Sequence, residues 1–503
     1  MKLARILDGV PHSGGTPDAE IAALVSDSRQ AGAGALFIAL PGARTDGNRH
    51  IKDAAERGAA AVLSELAPPP APMTLKARGG RALAWIQAPD VFAAMAKAAA
   101  NFYGDPSAAM TVVGVTGTKG KTTTTYLLES VISACGGRPG VLGTVSHRLG
   151  GEVLEKAANT TPFSLELTRL LARMRDGGAT HVAMEVSSHA LATQRVEEVH
   201  FDAAVFTNLQ RDHLDFHKTP AEYFEAKARL FELLEKASSP KKRRAAVLNM
   251  DDDSYARLAR RVPRAVSYGL SAGADYRADE LRPGVKGTRF LLRRGERAWP
   301  VALKLAGVHN VHNALAAAAA ALELGMPPAG VVRGLESLER VPGRLDPVEE
   351  GQDFAVLVDY AHTEASLAAV LGHLKGLPHR RLIVVFGCGG DRDPGKRAPM
   401  GEAACREADL AVATSDNPRG EDPLEILRAV EEGMRRAGRE NYRIVPDRGE
   451  AILEALRAAR SGDIVLIAGK GHENAQILKD RTVRFDDREV AARALRALGR
   501  GGK

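Results

Sequence analysis

A β-branched run gives way to glycines, a lysine and two threonines in Val112-Val113-Gly114-Val115-Thr116-Gly117-Thr118-Lys119-Gly120-Lys121-Thr122-Thr123. This order predicts a strand, a phosphate-binding loop and the start of a helix. Glycines let backbone N–H groups approach a polyphosphate, and the N-terminus of a helix favours negative charge. Lys121 adds a cation, and the Thr122 hydroxyl is suited to bind Mg²⁺. We therefore predict a nucleotide-binding loop.

The loop departs from the usual spacing, which is Gly, four residues, and then Gly-Lys-Ser/Thr. Val115 occupies the first glycine position, and Gly114 comes one residue early. The alternative interpretation is a glycine-rich turn that contains a lysine by chance. Strand, glycines, lysine and threonines occur together here, and this coincidence favours the nucleotide-binding interpretation.

Bulk composition bounds the class of protein. The 503 residues suggest about three domains at roughly 150 residues each. Lys and Arg number 69 against 62 Asp and Glu, a net charge of +7, and the basic residues are scattered along the chain. Aromatic residues make up only 5% and do not interleave with basic clusters, so we predict no nucleic-acid partner. The excess of positive charge suits an anionic substrate.

The sequence also predicts the compartment. Cys135, Cys388 and Cys405 lack metal-ligand spacing and indicate free thiols in a reducing environment. The first eight residues are too charged for a signal peptide, and the apolar segment 314–324 is too short to cross a bilayer. We expect a cytoplasmic protein without membrane insertion, and we expect it to be a monomer.

Composition shifts divide the chain into three parts. Residues 1–107 alternate short strands and helices, and residues 108–341 contain the glycine-rich loop. After Pro342-Gly343-Arg344, residues 342–503 form a second series of alternating strands and helices. Alternation of this kind predicts parallel sheets, whose ligands lie at the carboxyl ends of the strands.

Two polar residues follow strands of the central part. Glu185 ends the predicted strand 182–186, and His213 follows the strand 203–207. At the carboxyl edge of a parallel sheet both can meet the phosphate loop, where they suit Mg²⁺ and phosphates. Either residue without the other is better explained as a surface or capping residue.

A lysine lies on the apolar face of the next predicted helix. Thr219-Pro220-Ala221-Glu222 has the form of a capping box with proline at the first helical position. Lys227 comes four residues after Tyr223 and four before Phe231, so it shares their stripe. Sequence alone favours a lysine that extends its ammonium to solvent. The alternative is a partly buried lysine with a lowered pKa and a reactive amine.

Four strand ends of the C-terminal part are polar or rich in glycine, which predicts a binding face. They are Asp359-Tyr360-Ala361-His362, Gly387-Cys388-Gly389-Gly390-Asp391-Arg392-Asp393, Ser415-Asp416-Asn417-Pro418-Arg419 and Gly469-Lys470-Gly471-His472-Glu473. Two further polar groups, 25–29 and 307–313, are explained by turns and caps when each is taken alone.

Together and in this order, these motifs resemble the Mur ligases along essentially the whole chain. The segments Asn159-Thr160-Thr161, Glu185-Val186-Ser187-Ser188-His189 and 208–215 add to the likeness. The resemblance implies an α/β protein of three domains: an N-terminal α/β domain for a UDP-linked substrate, a central P-loop parallel-sheet ATPase domain and a C-terminal Rossmann-like domain for the incoming amino acid.

The resemblance implies an ATP-dependent ligase of peptidoglycan precursor synthesis. ATP phosphorylates the D-glutamyl side-chain carboxylate of UDP-N-acetylmuramoyl-L-alanyl-D-glutamate, and the amine of an amino acid attacks the acyl phosphate. It implies that Mg²⁺ is bound by Thr122, Glu185, His213 and Lys227, and that Lys227 is carbamylated. It also implies that Lys121 contacts ATP and that Lys121, Glu185, His213 and Lys227 are the catalytic residues. It assigns further nucleotide contacts to the phosphate loop (117–123), His309, Asn310, Arg344 and Asp359.

The resemblance places the UDP-linked substrate on two groups of residues, one for the uridine nucleotide and one for the muramoyl dipeptide. They are Ser26, Ser28, Ala43, Arg44 and Thr45, and Asn159, Thr160, Thr161, Ser187 and Arg195. The chain departs from some relatives at two positions. Thr193 stands where those relatives have a Gln that contacts substrate, and Pro162 stands where they have a Gly.

The third substrate is predicted from charge. meso-2,6-Diaminopimelate is lysine with a second carboxylate at its far carbon. An arginine fork binds this carboxylate, whereas it repels the lone ammonium of lysine. Asp416-Asn417-Pro418-Arg419 is similar to the motif of the diaminopimelate-adding ligases. Arg392, Gly469 and Glu473 would hold the remaining groups of the amino acid.

Other functions are kept as alternatives. Within the same chemistry they are a lysine-adding ligase and a folylpolyglutamate synthase-like enzyme. The Asp-Asn-Pro-Arg motif argues against lysine, and the N-terminal domain argues against folate. A P-loop switch or transport ATPase is the alternative from another class, and it leaves the C-terminal strand ends without a use.

Overall fold

The computed structural model describes residues 1–16, 18–42, 45–70, 82–236 and 239–499. By their internal contacts these residues form two compact units. The first comprises Met1–Arg277, Arg293–Arg297 and His312–Gly334, and the second comprises Ala278–Leu292, Ala298–Val311 and Leu335–Lys503.

The N-terminal part of the first unit is a five-stranded sheet in the order β1-β5-β4-β3-β2. Strands β2 to β5 are parallel, and β1 is antiparallel to β5. Helix α3 begins where Asp90 accepts hydrogen bonds from the amides of Phe92 and Ala93. The elements are α1 Leu3–Ile6, β1 Ser13–Gly14, β2 Ala23–Val25, β3 Ala35–Ile38, α2 Ile51–Arg57, β4 Ala61–Ser64, β5 Ala84–Gln87 and α3 Val91–Tyr103.

The second sheet of this unit carries the glycine-rich loop. Its strands run β13-β12-β11-β6-β10-β7-β8-β9, parallel from β13 to β7 and antiparallel from β7 to β9. The strands are β6 Thr111–Thr116, β7 Pro139–Leu142, β8 Ser146–Leu149, β9 Glu152–Lys156, β10 His181–Glu185, β11 Ala203–Phe206, β12 Ala245–Asn249 and β13 Val266–Gly269. The helices are α4 Lys121–Ala134, α5 Ser164–Asp176, α6 Ser188–Ala192, α7 Leu214–His217, α8 Pro220–Leu234 and α9 Tyr255–Ala259.

One face of this sheet packs against α5 and α8 in an apolar core. The residues of this core include Leu170, Phe201 and Leu230. Leu165 of α5 lies instead in the core of the N-terminal sheet, so α5 joins the two layers of the unit. Helix α8 begins as predicted, because Thr219 accepts a hydrogen bond from the amide of Glu222. Among the described residues the Glu222 side chain makes no return bond, so only half of the predicted capping box forms.

Residues 276–337, which are divided between the two units, form three strands and two helices. They are β14 Tyr276–Gly284, β15 Gly287–Arg294, β16 Arg297–Leu303, α10 Val308–Glu323 and α11 Pro328–Ser337. The alanines of α10 from Ala314 to Ala321 are fully buried, as the sequence predicts. Within the part of the chain that the structure describes, no helix combines the length and apolarity needed to cross a membrane.

The second unit is built on a six-stranded sheet in the order β17-β18-β22-β19-β20-β21. All neighbours are parallel except β17 and β18, and apolar cores cover both faces. The strands are β17 Asp346–Pro347, β18 Ala355–Asp359, β19 Leu382–Cys388, β20 Leu410–Ser415, β21 Tyr442–Ile444 and β22 Ile464–Ala468, followed by the hairpin β23 Ala475–Ile477 and β24 Thr482–Arg484. The helices are α12 Glu364–Lys375, α13 Arg397–Glu407, α14 Pro423–Arg436, α15 Arg448–Ala458 and α16 Asp487–Ala497.

Candidate active site

The glycine-rich loop joins β6 to α4 as the sequence predicts. Gly117 and Gly120 have φ of +145° and +88°. A Cβ atom at Gly117 would lie 1.8 Å from Thr207 Oγ1, and one at Gly120 would lie 2.4 Å from Asn313 Oδ1. Both positions therefore require glycine. Gly114 has a different role, because it lies inside β6 with the Phe201 ring 2.7 Å from its hypothetical Cβ atom.

Hydrogen bonds fix the shape of the loop. The Lys121 ammonium donates to the carbonyls of Gly117 (2.7 Å) and Thr118 (2.9 Å). Asn208, which follows β11, accepts from the amide of Lys119 at 2.9 Å through its side chain and from the amide of Thr118 through its carbonyl. Sequence reasoning quoted Asn208 only within a motif, and its support of the loop is visible only when β6 and β11 are neighbours.

Thr122 and Glu185 come together beside the loop. The Thr122 hydroxyl donates to Glu185 Oε2 at 3.1 Å, and both residues are buried. Thr144 donates to the same carboxylate through its amide (2.9 Å) and its hydroxyl (3.0 Å). A hydroxyl and a carboxylate at this spacing fit a hard cation such as Mg²⁺. Thr144 was missed from the sequence, although it follows the carboxyl end of β7 in the same parallel sheet.

Lys227 is buried, so the expectation that its ammonium extends to solvent is wrong. Its side chain is only 1% exposed, and Nζ lies 4.4 Å from the centre of the Tyr223 ring. Burial and the nearby Lys121 charge lower the pKa of Lys227 well below its ordinary value. A lysine whose ammonium extends to water would keep its tip exposed, whereas the Lys227 amine is buried against the Tyr223 ring. The structure therefore favours the alternative of a buried, reactive amine.

His213 lies beside two other rings, those of His189 and Tyr223. Its backbone is left-handed with φ of +53°, and its ring centre lies 4.8 Å from that of His189 and 6.1 Å from that of Tyr223. Among the described residues, no group of three or more His, Cys, Asp and Glu side chains is arranged to hold a metal ion. The predicted metal set is therefore brought together in part: Thr122 and Glu185 are hydrogen-bonded, and the His213 ring and the Lys227 amine both lie near the Tyr223 ring.

Most residues predicted for the muramoyl dipeptide form one cluster beside Glu185. Thr161 donates to the Glu185 carbonyl at 2.8 Å and accepts from the amide of Ser187 at 3.1 Å. Arg195 donates to the Thr161 carbonyl at 2.9 Å, and Thr160 lies 3.0 Å from Thr144 through their hydroxyls. Ser187 also caps α6. Asn159 is exposed next to this cluster.

The residues predicted for the uridine nucleotide follow two neighbouring parallel strands. Ser26 and Ser28 follow β2, and Thr45 follows β3, so they share the carboxyl edge of the N-terminal sheet. Asp27 caps this turn by accepting from the amide of Arg29. Ala43 and Arg44 lie outside the described residues.

In the second unit, strand ends predicted to bind the amino acid meet at one edge. Asn417 donates to Glu473 Oε2 at 2.8 Å, and the Tyr360 hydroxyl donates to Glu473 Oε1 at 3.4 Å. Burial opposes the negative charge of Glu473, but the Asn417 bond and the charge of Lys470 prevail and lower its pKa. Glu473 is therefore a carboxylate that can accept from an ammonium group.

Arg419 adopts a left-handed backbone with φ of +52°, and this conformation turns its side chain toward the β19 loop. Its guanidinium donates to the carbonyl of Gly390 at 2.8 Å. A Cβ atom at Gly390 would lie 2.0 Å from the Pro418 carbonyl oxygen, so this approach requires glycine. Arg392 is exposed on the same loop and donates to the Asp391 carbonyl at 3.2 Å.

Asp416 is buried beneath this edge, and burial raises its pKa. Its Oδ2 atom would lie 2.7 Å from a Cβ atom at Gly469, whose φ is +116°. The fully buried pair of Arg448 and Asp487 lies below, with Arg448 donating to the Ala468 carbonyl at 3.0 Å. Asp416 and Asn417 are both buried and are thus part of the support of the site, whereas Arg419 and Glu473 are half-buried.

The four remaining residues predicted to bind the nucleotide also belong to the second unit. Asp359 accepts from the amides of Leu345 (2.8 Å) and Ala361 (2.9 Å). Arg344 lies over the Tyr360 ring, 5.2 Å from its centre. His309 packs edge-on against His373, and Asn310 donates to the Ala306 carbonyl at 2.7 Å. Their contact with a nucleotide remains a prediction.

Comparison with known proteins agrees with this architecture. The family models of the Mur ligase family catalytic domain, the Mur ligase middle domain and the Mur ligase glutamate ligase domain match residues 20–103, 115–321 and 343–471. The chain belongs to the Mur ligase family. It has the family's three α/β domains, and it is an ATP-dependent ligase that forms an amide bond.

Particular relatives are similar over their whole length. The UDP-N-acetylmuramoyl-L-alanyl-D-glutamate--2,6-diaminopimelate ligase of Solibacter usitatus is 46% identical over 99% of both chains. The ligase of that name from Geobacillus kaustophilus is 43% identical over 99% of this chain and 100% of its own. A solved structure of a ligase of that name has a TM-score of 0.70 at 33% identity, covering 96% of each chain. MurF of Thermotoga maritima in complex with ADP, at 21% identity and a TM-score of 0.62, shares the fold.

Proposed function

We propose that this enzyme joins meso-2,6-diaminopimelate to UDP-N-acetylmuramoyl-L-alanyl-D-glutamate at the expense of ATP. The observation that carries the proposal is the full-length similarity, at 43–46% identity, to ligases of that name. The Arg419 loop gives it a chemical basis, because a guanidinium suits a carboxylate that lysine lacks.

The reaction divides into two steps. The carboxylate of the D-glutamyl side chain attacks the γ-phosphorus of ATP, and the bond to ADP breaks. The amine of diaminopimelate then attacks the acyl carbon, phosphate leaves, and the amine loses a proton as the amide forms. Activation is needed because a free carboxylate is a poor electrophile.

In the first step two anions must approach each other. The backbone amides of the glycine-rich loop and the Lys121 ammonium would neutralise the triphosphate. Thr122 and Glu185 would hold Mg²⁺, which withdraws charge from the phosphates when bound. A carbamylated Lys227 would supply an anionic group from an otherwise cationic side chain, and His213 would join this set. The Lys227 amine is buried and has a lowered pKa, which favours the neutral form that reacts with carbon dioxide.

In the second step the amino acid must present a neutral amine to the acyl phosphate. We assign its distal carboxylate to Arg419 and an ammonium group to Glu473, with Asn417 and Arg392 beside them. The cluster of Thr160, Thr161, Ser187 and Arg195 would hold the muramoyl dipeptide. We also assign the uridine nucleotide to the turns after β2 and β3, and we infer a monomeric enzyme that acts in the cytoplasm.

Phosphate release tests the function. The purified enzyme is mixed with ATP and Mg²⁺, with or without the UDP-linked dipeptide, and with diaminopimelate or lysine. We expect phosphate and a new amide, identified by mass spectrometry, only when acceptor and diaminopimelate are both present. Equal turnover with lysine would replace the proposal by the lysine-adding alternative. ATP hydrolysis without any acceptor would favour a switch or transport ATPase.

A further inference from the structure

Lys470 is a fully buried cation at the centre of the C-terminal site. Its side chain has 0% exposure. Nζ donates to Ala475 O at 2.6 Å, Asn417 Oδ1 at 3.1 Å and Glu473 Oε2 at 3.3 Å. An ammonium group has three N–H donors, so these three acceptors satisfy it completely. Lys470 has no donor left for a substrate and no surface on which to touch one.

The acceptors of Lys470 come from the segments that form the amino-acid site. Asn417 belongs to the loop after β20, Glu473 follows β22, and Ala475 begins β23. Asn417 Oδ1 also accepts from the amide of Ile477 at 2.9 Å, and its Nδ2 donates to Glu473 at 2.8 Å. The amide of Arg419 donates to the Ile477 carbonyl at 3.0 Å, and Gln476 donates to the Asp416 carbonyl at 2.7 Å. Lys470 therefore lies at the point where the Arg419 loop and the Glu473 loop are joined.

We infer that Lys470 is a positioning residue for the amino-acid substrate, setting the spacing between Arg419, which takes a carboxylate, and Glu473, which takes an ammonium group. This inference rests on the proposed function, because it concerns the same site. A substrate with charges at both ends binds well only if both partners stand at the matching distance. Burial makes the arrangement rigid, since each bond of Lys470 is protected from water.

The variant Lys470→Met tests this role, since methionine is unbranched and only one atom shorter than lysine, and it removes the charge and the donors. We expect the KM for the amino acid to rise about tenfold or more, while the KM values for ATP and the UDP-linked dipeptide change by less than about twofold. Lys375→Met is the matched control: Lys375 lies in the same unit, is 56% exposed and pairs with Glu407. We expect no change in that variant.

A double-mutant cycle separates positioning from general loss of structure. If Lys470 acts through Glu473, the double variant Lys470→Met/Glu473→Gln should be within about twofold of the poorer single variant. A double variant whose loss equals the product of the two single losses would overturn the inference. A fall in kcat with all three KM values unchanged would also overturn it. If Lys470→Met does not fold, Lys470→Gln, which retains a donor, is measured in the same way. Failure of both to fold would assign Lys470 to the stability of the domain and overturn the inference.

The outcome is distinguishable from failure of the proposed function. All variants are assayed with the amino acid that the wild-type enzyme uses, whether diaminopimelate or lysine. A wild-type enzyme that uses neither refutes the function. A wild-type enzyme that uses either one, together with an unchanged KM in Lys470→Met, refutes only the role of Lys470.

Discussion

The Nζ atom of Lys227 lies 4.4 Å from the centre of the Tyr223 ring, and the Tyr223 hydroxyl lies 3.1 Å from Thr118 Oγ1 in the glycine-rich loop. One tyrosine thus contacts both the phosphate loop and the buried lysine. The ring shields the lysine from water, and the hydroxyl ties the helix that carries it to the loop. The amine proposed for carbamylation is therefore linked through Tyr223 to the loop that we propose binds nucleotide.

Replacing Lys227 should separate stability from activity. Lys227→Met removes a buried amine, so we expect the free energy of unfolding in urea to rise by about 1–3 kcal/mol in buffer free of carbon dioxide. We expect amide synthesis to be lost because the anionic carbamate cannot form. Carbon-13 NMR with labelled bicarbonate should give a carbamate signal in the wild-type enzyme and none in the variant. A variant of full activity would contradict the role of Lys227.

The Thr122 hydroxyl is expected to matter through Mg²⁺. In Thr122→Ala the Glu185 carboxylate loses a donor and the proposed metal loses a ligand. The Mg²⁺ concentration for half-maximal activity should rise about 10–100-fold. Thr122→Ser keeps the hydroxyl and should remain within a few-fold of the wild-type enzyme. Equal Mg²⁺ dependence in the two variants would exclude Thr122 as a ligand.

Two glycine substitutions should have opposite effects. Gly117→Ala places a Cβ atom 1.8 Å from Thr207 Oγ1 in a left-handed backbone, so we expect loss of ATP binding and lower stability. Gly372 lies in α12 with no atom within 4 Å of its hypothetical Cβ atom. Gly372→Ala should therefore stabilise the protein by about 0.5–1 kcal/mol without changing ATP affinity. Thermal unfolding with and without ATP measures both effects.

Arg419 is expected to select the amino acid. Removing a charge-assisted bond to the distal carboxylate costs about 1.5–3 kcal/mol, so Arg419→Ala should lower kcat/KM for diaminopimelate about 10–200-fold. ATP binding should be unchanged, as should the activity of Arg428→Ala, which replaces an exposed arginine of α14. An unchanged KM for diaminopimelate in Arg419→Ala would refute the assignment.

The buried pair beneath the C-terminal site should be important for stability. Arg448 and Asp487 are both fully buried and are joined by bonds of 2.7 Å and 2.6 Å. Asp487→Ala leaves the Arg448 guanidinium without its counter-charge, so the unit should lose about 3–5 kcal/mol. Arg443→Ala removes an exposed pair with Glu454 and is the control, with an expected loss within about 1 kcal/mol. Equal losses in the two variants would contradict the argument.

Much of the architecture follows from the sequence. The strand before Gly117, the helix that begins at Lys121 and the polar strand ends of the second sheet are where the pattern predicts them. These features depend on local signals: β-branched runs, glycines and caps. The antiparallel strands β8 and β9 and the strands β14 to β16 were missed, because their pairing depends on neighbours that a local pattern does not specify.

The same limit applies to the site. The position of Lys227 on an apolar stripe identifies the face it occupies, but burial of its amine depends on how α8 packs against the sheet. His213 was placed correctly after its strand, yet its left-handed backbone, which decides where the ring points, has no signal in the sequence. Thr144 was missed, and Asn208 and Lys470 were quoted only as members of motifs, because their importance lies in partners distant along the chain.

The bonds that tie the Arg419 loop to β23 bear on any attempt to change substrate preference by chimera. Residues 416–419 and 475–477 exchange backbone and side-chain hydrogen bonds, so they form a single transferable module. A loop imported from a relative of different preference would lack its matching strand and would lose the geometry that made it selective. Exchanging both segments together preserves the hydrogen bonds between them.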